Sequence, residues 1–266
     1  MKKEKNISKR IIYYRDEKND EFSTARIIPK RIDGSYRYDR TVGWRGIVRF
    51  FWYRIVALPV AFVYLKVRFG HKIVGRDRIK RDRGKGIFVY GNHTQIIADA
   101  LIPTFVRFPG DAFVIVHPNN VSMPYLGRIN PYLGALPLPD DLDATRNFIR
   151  EIEKKIQAKK AIFIYPEAHI WPYYTGIRPF GEESFLYPVK YNTPVFCFTN
   201  TYRKRKFAKH PRLVTYVDGP FYPDQRLPRG ERRQRLRDEV FFCMTERSKL
   251  SDVEWITYQK TEEERE

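Results

Sequence analysis

Short apolar runs separated by polar, helix-patterned stretches set the rhythm of most of this chain. Ile87-Phe88-Val89-Tyr90, Ala112 to Val116, Ala161 to Tyr165 and Pro194 to Thr199 are brief, apolar and rich in β-branched or aromatic side chains, the signature of strands buried on both faces. Leu213 to Val217 offers a further strand. Ahead of the Ala161 run, Ile149, Ile152 and Ile156 recur at helical spacing behind a capping Asp141 or Asp143. Lys154, Lys155, Lys159 and Lys160 crowd the far end, so a helix is predicted to stop near Lys159. Within Arg229 to Leu250, Leu236, Val240, Phe241 and Met244 repeat at helical spacing, predicting a helix packed by one face. Strands alternating with helices predict an α/β fold, a central mixed sheet with flanking helices. The polar stretch Gln259 to Glu266 is expected to fray.

The first seventy residues follow other patterns. Residues 1–42 are polar, basic and dotted with tyrosine; Ile11 to Tyr14 and Phe22 to Ile28, around Lys18-Asn19-Asp20, suit either a small hairpin or a loose basic arm. From Gly43 to Gly70 the texture changes to Trp44, Ile47, Val48, Phe50, Phe51, Trp52 and Tyr53, punctuated by Arg45, Arg49, Arg54 and Lys66. Aromatics mixed with arginine on a helix can lie in the headgroup plane of a bilayer, rings buried and guanidinium groups reaching for phosphate; the same residues also suit a helix pair covering the sheet. Pro59 is expected to kink or divide the helix. The longest unbroken apolar run, Ile55 to Leu65, has 11 residues, short of the roughly 20 needed to span a bilayer. A membrane-interfacial helical motif over 43–70, seated on the surface without crossing, is therefore predicted to precede an α/β domain over 71–266.

Composition sharpens this. Lys plus Arg exceed Asp plus Glu by 50 to 31, a net charge of +19, which attracts polyanions, anionic lipid and nucleic acid alike. An aromatic fraction of 15% and a hydrophobic fraction of 42% exclude a disordered basic tail. Cys197 and Cys243 stand alone, without CxxC or Cys/His spacing, so neither a disulfide framework nor a metal site is expected. The opening Met-Lys-Lys-Glu-Lys-Asn leads into polar sequence in place of an apolar signal stretch, placing the expected location on the cytoplasmic face of the cell membrane, as a peripheral or monotopic protein.

The most informative segment is Tyr90-Gly91-Asn92-His93-Thr94-Gln95-Ile96-Ile97-Ala98-Asp99, between the first strong strand and an apolar helix. A histidine can take a proton near neutral pH, and a nearby carboxylate can fix its tautomer and stabilise the imidazolium. Asn92-His93 followed by Asp99 resembles the first block of the lysophosphatidic acid acyltransferase family, Asn-His, four residues, Asp. The likeness continues in order: Ile164-Tyr165-Pro166-Glu167-Ala168 resembles the family's Phe-Pro-Glu-Gly block, Thr193-Pro194-Val195-Phe196 resembles its last block, and Met123 to Gly127 with Gly134 to Leu138 resemble the approach to its second.

The resemblance covers about residues 43–220 and implies an acyltransferase in which His93, paired with Asp99, deprotonates an acceptor hydroxyl that attacks an acyl thioester. The donor would be acyl-coenzyme A or acyl-carrier protein, the acceptor a lysophospholipid such as 1-acyl-glycerol-3-phosphate, and no cofactor is implied. No covalent acyl-enzyme is required, in keeping with Ser184 and Cys197 lacking a histidine neighbour in sequence. Two departures matter. Thr94 to Ala98 put five residues, not four, between His93 and Asp99, so the pair must be joined through a local turn. Leu138-Pro139-Asp140 and His169-Ile170-Trp171 stand where the family carries its phosphate-binding arginines. Arg178 and Arg128 become the candidates for an acceptor phosphate, with Asn92, Gln95 and Glu167 as further substrate-binding residues. Glu167 could equally brace the site, and His169 reads as a pocket-lining or structural residue.

Two other readings stay open on the sequence: an acyltransferase for an acceptor without phosphate, and a non-enzymatic basic protein that binds lipid or nucleic acid through Tyr202 to Lys206 and Arg229 to Arg237. Basic clusters are weak signals for nucleic acid without a helix-turn-helix, zinc-finger or RNA-recognition signature, and none accompanies these.

Overall fold

The structure, a computed structural model, describes residues 10–22, 27–82 and 84–261. Strand β1 (Arg10–Tyr14) is followed by helix α1 (Trp44–Phe69), β2 (Lys72–Val74), α2 (Arg76–Arg81), β3 (Ile87–Gly91), α3 (Ala98–Arg107) and β4 (Ala112–Val116). Two short helices, α4 (Asn119–Ser122) and α5 (Leu126–Ile129), lead to β5 (Ala135–Pro137), then α6 (Leu142–Gln157), β6 (Ala161–Ile164), α7 (Leu186–Tyr191), β7 (Val195–Arg203), β8 (Arg212–Phe221), α8 (Arg229–Ser248) and β9 (Ile256–Lys260).

Seven strands form one mixed sheet in the order β2-β8-β7-β3-β6-β4-β5. From β7 to β5 the strands are parallel, while β8 runs antiparallel to β7 and carries β2 parallel to itself. The central strand β3 is buried along its whole length, as a strand covered on both faces must be. Its side chains alternate: Phe88 and Tyr90 join a core with Phe148 and Ile152 of α6 and Leu236, Val240 and Met244 of α8. Ile87 and Val89 join the opposite core with Leu65 and Phe69 of α1, Ile79 of α2 and Ile102 and Val106 of α3. The cap of α6 is Asp141, whose side chain accepts from the Ala144 N–H at 2.8 Å.

Three expectations change. The hairpin within residues 1–42 is replaced by a long-range pair: β1 lies parallel to β9 in a separate two-stranded sheet, Arg10 opposite Ile256 and Tyr14 opposite Lys260. Residues 23–26 of the expected second arm lie outside the described residues, as do 262–266, whereas Gln259 and Lys260, expected to fray, belong to β9. Pro59 does not divide α1. A π-helical stretch, Phe51–Ala57, widens the helix just before it, and this looser turn accommodates a residue that has no N–H to give and whose ring crowds the preceding carbonyl. The result is one helix of 26 residues, long and apolar enough to cross a membrane by length and composition. The charges that break its sequence into short runs are scattered over its length, which is why no single run reaches spanning length.

That helix is docked along one side. Arg49 is buried, its guanidinium packed on the rings of Tyr53 and Phe113 and donating to the Tyr132 carbonyl at 2.8 Å. Arg54 reaches Asp111 at 2.7 Å, and Ala61, Leu65 and Phe69 turn into the core. Burial would push the Asp111 carboxyl up, but Arg49, Lys160 and Arg54 hold it below its ordinary value. The opposite side exposes Trp44, Ile47, Phe51, Ile55, Val63 and Val67, with Ile47 at 72% and Val67 at 73%. A helix that turns Arg49 inward and Ile47 and Ile55 outward inverts the usual soluble pattern at these positions.

Candidate active site

His93 stands just past the end of β3, in a loop built by three local devices. Gly91 lets the neighbouring strand close in: a Cβ there would lie 2.1 Å from the Phe198 ring. Asn92 then continues the β3–β7 ladder with its side chain, Oδ1 accepting from the Asn200 N–H at 2.7 Å and Nδ2 donating to the Asn200 carbonyl at 3.1 Å. The loop turns before α3 begins, so Asp99 in the first helical turn comes back beneath it. The Asp99 Oδ2 accepts from the backbone N–H of Thr94 at 2.7 Å and of Gln95 at 2.8 Å, and lies 2.9 Å from His93 Nδ1. Its Oδ1 accepts from Asn200 Nδ2 at 3.1 Å. The residue of extra spacing is thus absorbed in the turn.

Burial pushes the Asp99 carboxyl up from its ordinary value, while the His93 ring and the two N–H groups pull it down. Both oxygens face donors alone, so the geometry is that of a carboxylate, set in the first turn of a helix where negative charge is favoured. With Nδ1 donating to Asp99, the lone pair of a neutral His93 lies on Nε2. The imidazole stacks on Tyr165 with centroids 4.5 Å apart, and Tyr165 in turn donates its hydroxyl to the Asp99 carbonyl. The His93 side chain is 18% exposed and that of Asp99 1%, so the ring presents an edge to solvent while its partner is sealed.

Glu167 braces the loop from the end of β6. Its Oε2 accepts from the His93 backbone N–H at 2.9 Å and its Oε1 from the Arg178 N–H at 3.0 Å. Burial pushes the Glu167 carboxyl up, against the pull of Arg178 and the two N–H groups. The expectation that Arg178 grips a substrate phosphate is corrected here. Its guanidinium is buried, donating to the carbonyls of Glu167 and His169 and to that of Glu17 at 3.4 Å, and it packs over Trp171 at 5.0 Å. A group so enclosed staples the loop over 167–178. Asn92 and Gln95, expected to bind substrate, also spend their side chains internally, Gln95 donating to the Tyr202 hydroxyl at 3.0 Å. Arg128 is exposed on α5 and lines a hollow of about 320 Å³ together with Lys30, Arg31 and Arg40, a lining that includes neither His93 nor Asp99. His169 pairs with Glu21 at 3.0 Å. Cys197 is buried in β7, where contact with the Cys243 thiol and burial push its thiol well above the usual range, the opposite of what a nucleophile needs.

Sequence reasoning missed the residues behind Asp99. Asn200 Oδ1 accepts from the Thr215 hydroxyl at 2.7 Å, and Thr215 Oγ1 lies 2.8 Å from His71 Nε2. Because Thr215 donates toward Asn200, His71 must donate to Thr215. A signal was available, since Thr199-Asn200-Thr201 is a polar triplet inside an otherwise apolar strand. Burial and, secondarily, Lys66 push the His71 imidazole down to about 4 from 6.5. The unfolded chain then binds a proton at mildly acid pH that the folded chain refuses, so the stability associated with neutral His71 is complete above the unfolded value and disappears as pH falls toward about 4. We expect roughly 3 kcal/mol of pH-dependent stability from this group, about 2 kcal/mol of it between about pH 7 and about pH 5. Denaturant titrations at about pH 7 and about pH 5 check it: a His71→Gln variant should show the shallower pH dependence, and an unchanged slope refutes the assignment.

Known proteins were compared with this arrangement. No family model matches the chain, and no curated protein sequence matches it. Among solved structures, the 1-acyl-sn-glycerophosphate (LPA) acyltransferase PlsC from Thermotoga maritima has a similar fold, with a TM-score of 0.53 and 18% sequence identity over 79% of this chain and 84% of that one. At that identity the likeness establishes a shared fold, a mixed α/β sheet with flanking helices.

Proposed function

We infer that this protein is an acyltransferase working on glycerolipids at a membrane surface, with His93 as general base. The observation that carries the reading is the His93–Asp99 pair: a carboxylate sealed from solvent and surrounded by donors holds Nδ1, leaving Nε2 on the exposed edge as proton acceptor. In the reaction, Nε2 takes the proton of an acceptor hydroxyl as its oxygen bonds to the carbonyl carbon of an acyl thioester. The carbon–sulfur bond breaks as the tetrahedral intermediate collapses, and the imidazolium returns the proton to the departing sulfur. The Asp99 carboxylate stabilises the transient positive ring.

The specific acceptor we propose is 1-acyl-glycerol-3-phosphate, with an acyl thioester of coenzyme A or of a carrier protein as donor. The block likeness around His93, Glu167 and Pro194 and the fold shared with an LPA acyltransferase support it. With Arg178 internal, Arg128 is left of the two arginines considered for the phosphate. An acyl-transfer screen of glycerol-based acceptors with and without phosphate tests the reading: turnover confined to acceptors without phosphate removes this acceptor, and no turnover with any acceptor removes the activity.

The exposed side of α1 supports the membrane part. A bilayer interface would cover its apolar face, while Arg49 and Arg54 tie the opposite side to Asp111 and so hold the helix along the domain surface. Phe51→Ser with Ile55→Ser should lower partitioning onto phospholipid vesicles about 10-fold to 150-fold, taking about half the full burial value of roughly 1.5–3 kcal/mol for each side chain. Vesicle sedimentation reads this directly, and unchanged partitioning would place the contact elsewhere.

A further inference from the structure

Beside the exposed face of α1, a hollow of about 330 Å³ opens between α1, β2, α2 and α3. Lys66, Lys72 and Arg76 line it, no carboxylate among the described residues does, and Phe62 and Phe105 form its apolar side. Cations gathered without counter-ions in a concave site, next to an apolar helix face, fit a ligand that is anionic at one end and greasy at the other. At its base is His71, whose Nε2 starts the hydrogen-bond chain through Thr215 and Asn200 to the carboxylate of Asp99.

We propose that this hollow binds the phosphodiester of an anionic phospholipid of the membrane, and that occupancy is felt at His93 through His71, Thr215, Asn200 and Asp99. The phosphate sits among Lys66, Lys72 and Arg76, and the lipid chains run out past Phe62 along α1. Lys66 also donates to the His71 carbonyl at 2.8 Å, so a phosphate drawn to Lys66 steadies the junction between α1 and β2 that carries His71. The far end of the chain behind Asp99 is then fixed when the protein is on an anionic bilayer. His71, Thr215 and Asn200 act as positioning residues, since they touch neither substrate nor reacting atoms. The site differs from the acceptor site, so it responds to bilayer composition whichever acceptor is used. The coupling half of the proposal rests on the acyltransferase reading; the binding half stands without it.

The test begins with binding. Dihexanoyl phosphatidylglycerol, titrated as a soluble probe, should move the His71 ring resonances of the full chain, whereas dihexanoyl phosphatidylcholine and glycerol 3-phosphate should move them far less. Lys72→Gln with Arg76→Gln should weaken the phosphatidylglycerol response about 30-fold, the worth of two surface cations; Arg150→Gln with Arg229→Gln, which removes the same charge from α6 and α8, should not. Equal loss in both pairs, or an equal response to glycerol 3-phosphate, overturns the lipid site and leaves a general attraction of charge or a free-phosphate site. Turnover on vesicles comes next. Phosphatidylglycerol should raise kcat over phosphatidylcholine, Thr215→Val should abolish that rise while keeping the binding response, and Thr215→Ser should restore it. A rise that persists in Thr215→Val overturns the link to Asp99. A change confined to the KM of phosphate-bearing acceptors in the Lys72/Arg76 pair overturns the separate site and makes the hollow part of the acceptor's own. Loss of all turnover with the binding response intact counts against the acyltransferase reading alone.

Discussion

His93→Ala should lower single-turnover acyl transfer by about 10²–10⁴-fold, the usual worth of a general base, while leaving the fold intact. The substitution removes a ring whose side chain is already 18% exposed, and the backbone N–H that Glu167 holds is unaffected. Asp99→Asn is the sharper probe. Its Oδ2 takes three donors, His93 Nδ1 and the N–H groups of Thr94 and Gln95, and Asn200 donates to Oδ1. An amide offers an oxygen on one side and its own hydrogens on the other, so either the loop or Asn200 meets a donor, and the imidazolium loses its counter-charge. A fall in turnover comparable to that of His93→Ala, with a far-ultraviolet spectrum like the parent's, is expected. Full activity in His93→Ala overturns the mechanism; full activity in Asp99→Asn alone removes the orienting role and shifts attention to Glu167.

The second large effect is on stability. Arg178→Ala should cost about 3–5 kcal/mol, because it strands the buried Glu167 carboxylate and frees the carbonyls of Glu167 and His169 that the guanidinium serves. Glu167→Gln in the same molecule should recover part of that loss, since the uncompensated charge is gone, which a denaturant double-mutant cycle measures. A phosphate-binding arginine would behave otherwise, raising acceptor KM with little change in stability. If Arg178→Ala unfolds at the parent's midpoint, the staple described here is wrong.

The parts of the fold that were legible share one property: their burial is local to the sequence. β3, β4, β6 and the first half of β7, Val195 to Phe198, read as strands because both faces are covered and the runs are apolar, and α6 announced itself through Asp141 and its isoleucine stripe. β2 and β5, at three residues each, are too short to show a period. β1 reads as one arm of a hairpin or a loose basic arm and the end of β9 as a polar tail, since each finds its partner some 240 residues away, a pairing no local pattern encodes. The site divides the same way. Asn92, His93 and Asp99 share one loop and were readable as a block, and the turn that closes the pair needed coordinates. Asn200 meets Asn92 from 108 residues away, and the inward aim of Arg178 is set by Trp171 and by carbonyls whose positions depend on the loop's path. An arginine that staples and one that binds phosphate are the same letter.

The pairing of β1 with β9 brings the first and last described strands together beside the site. Trp171 donates its indole N–H to the Asp20 carbonyl at 2.8 Å and stacks on Tyr258 at 4.8 Å, while Tyr258 donates to the Pro172 carbonyl at 2.9 Å. The wall of the loop that Arg178 staples is therefore made from the earliest and the latest described segments of the polypeptide. On the ribosome the central sheet can assemble from β2 to β8 as it emerges, yet this wall has to wait for β9. Until β9 is free to pair with β1, the loop that braces His93 lacks its outer support, so the order of synthesis itself makes this wall later than the sheet it stands on.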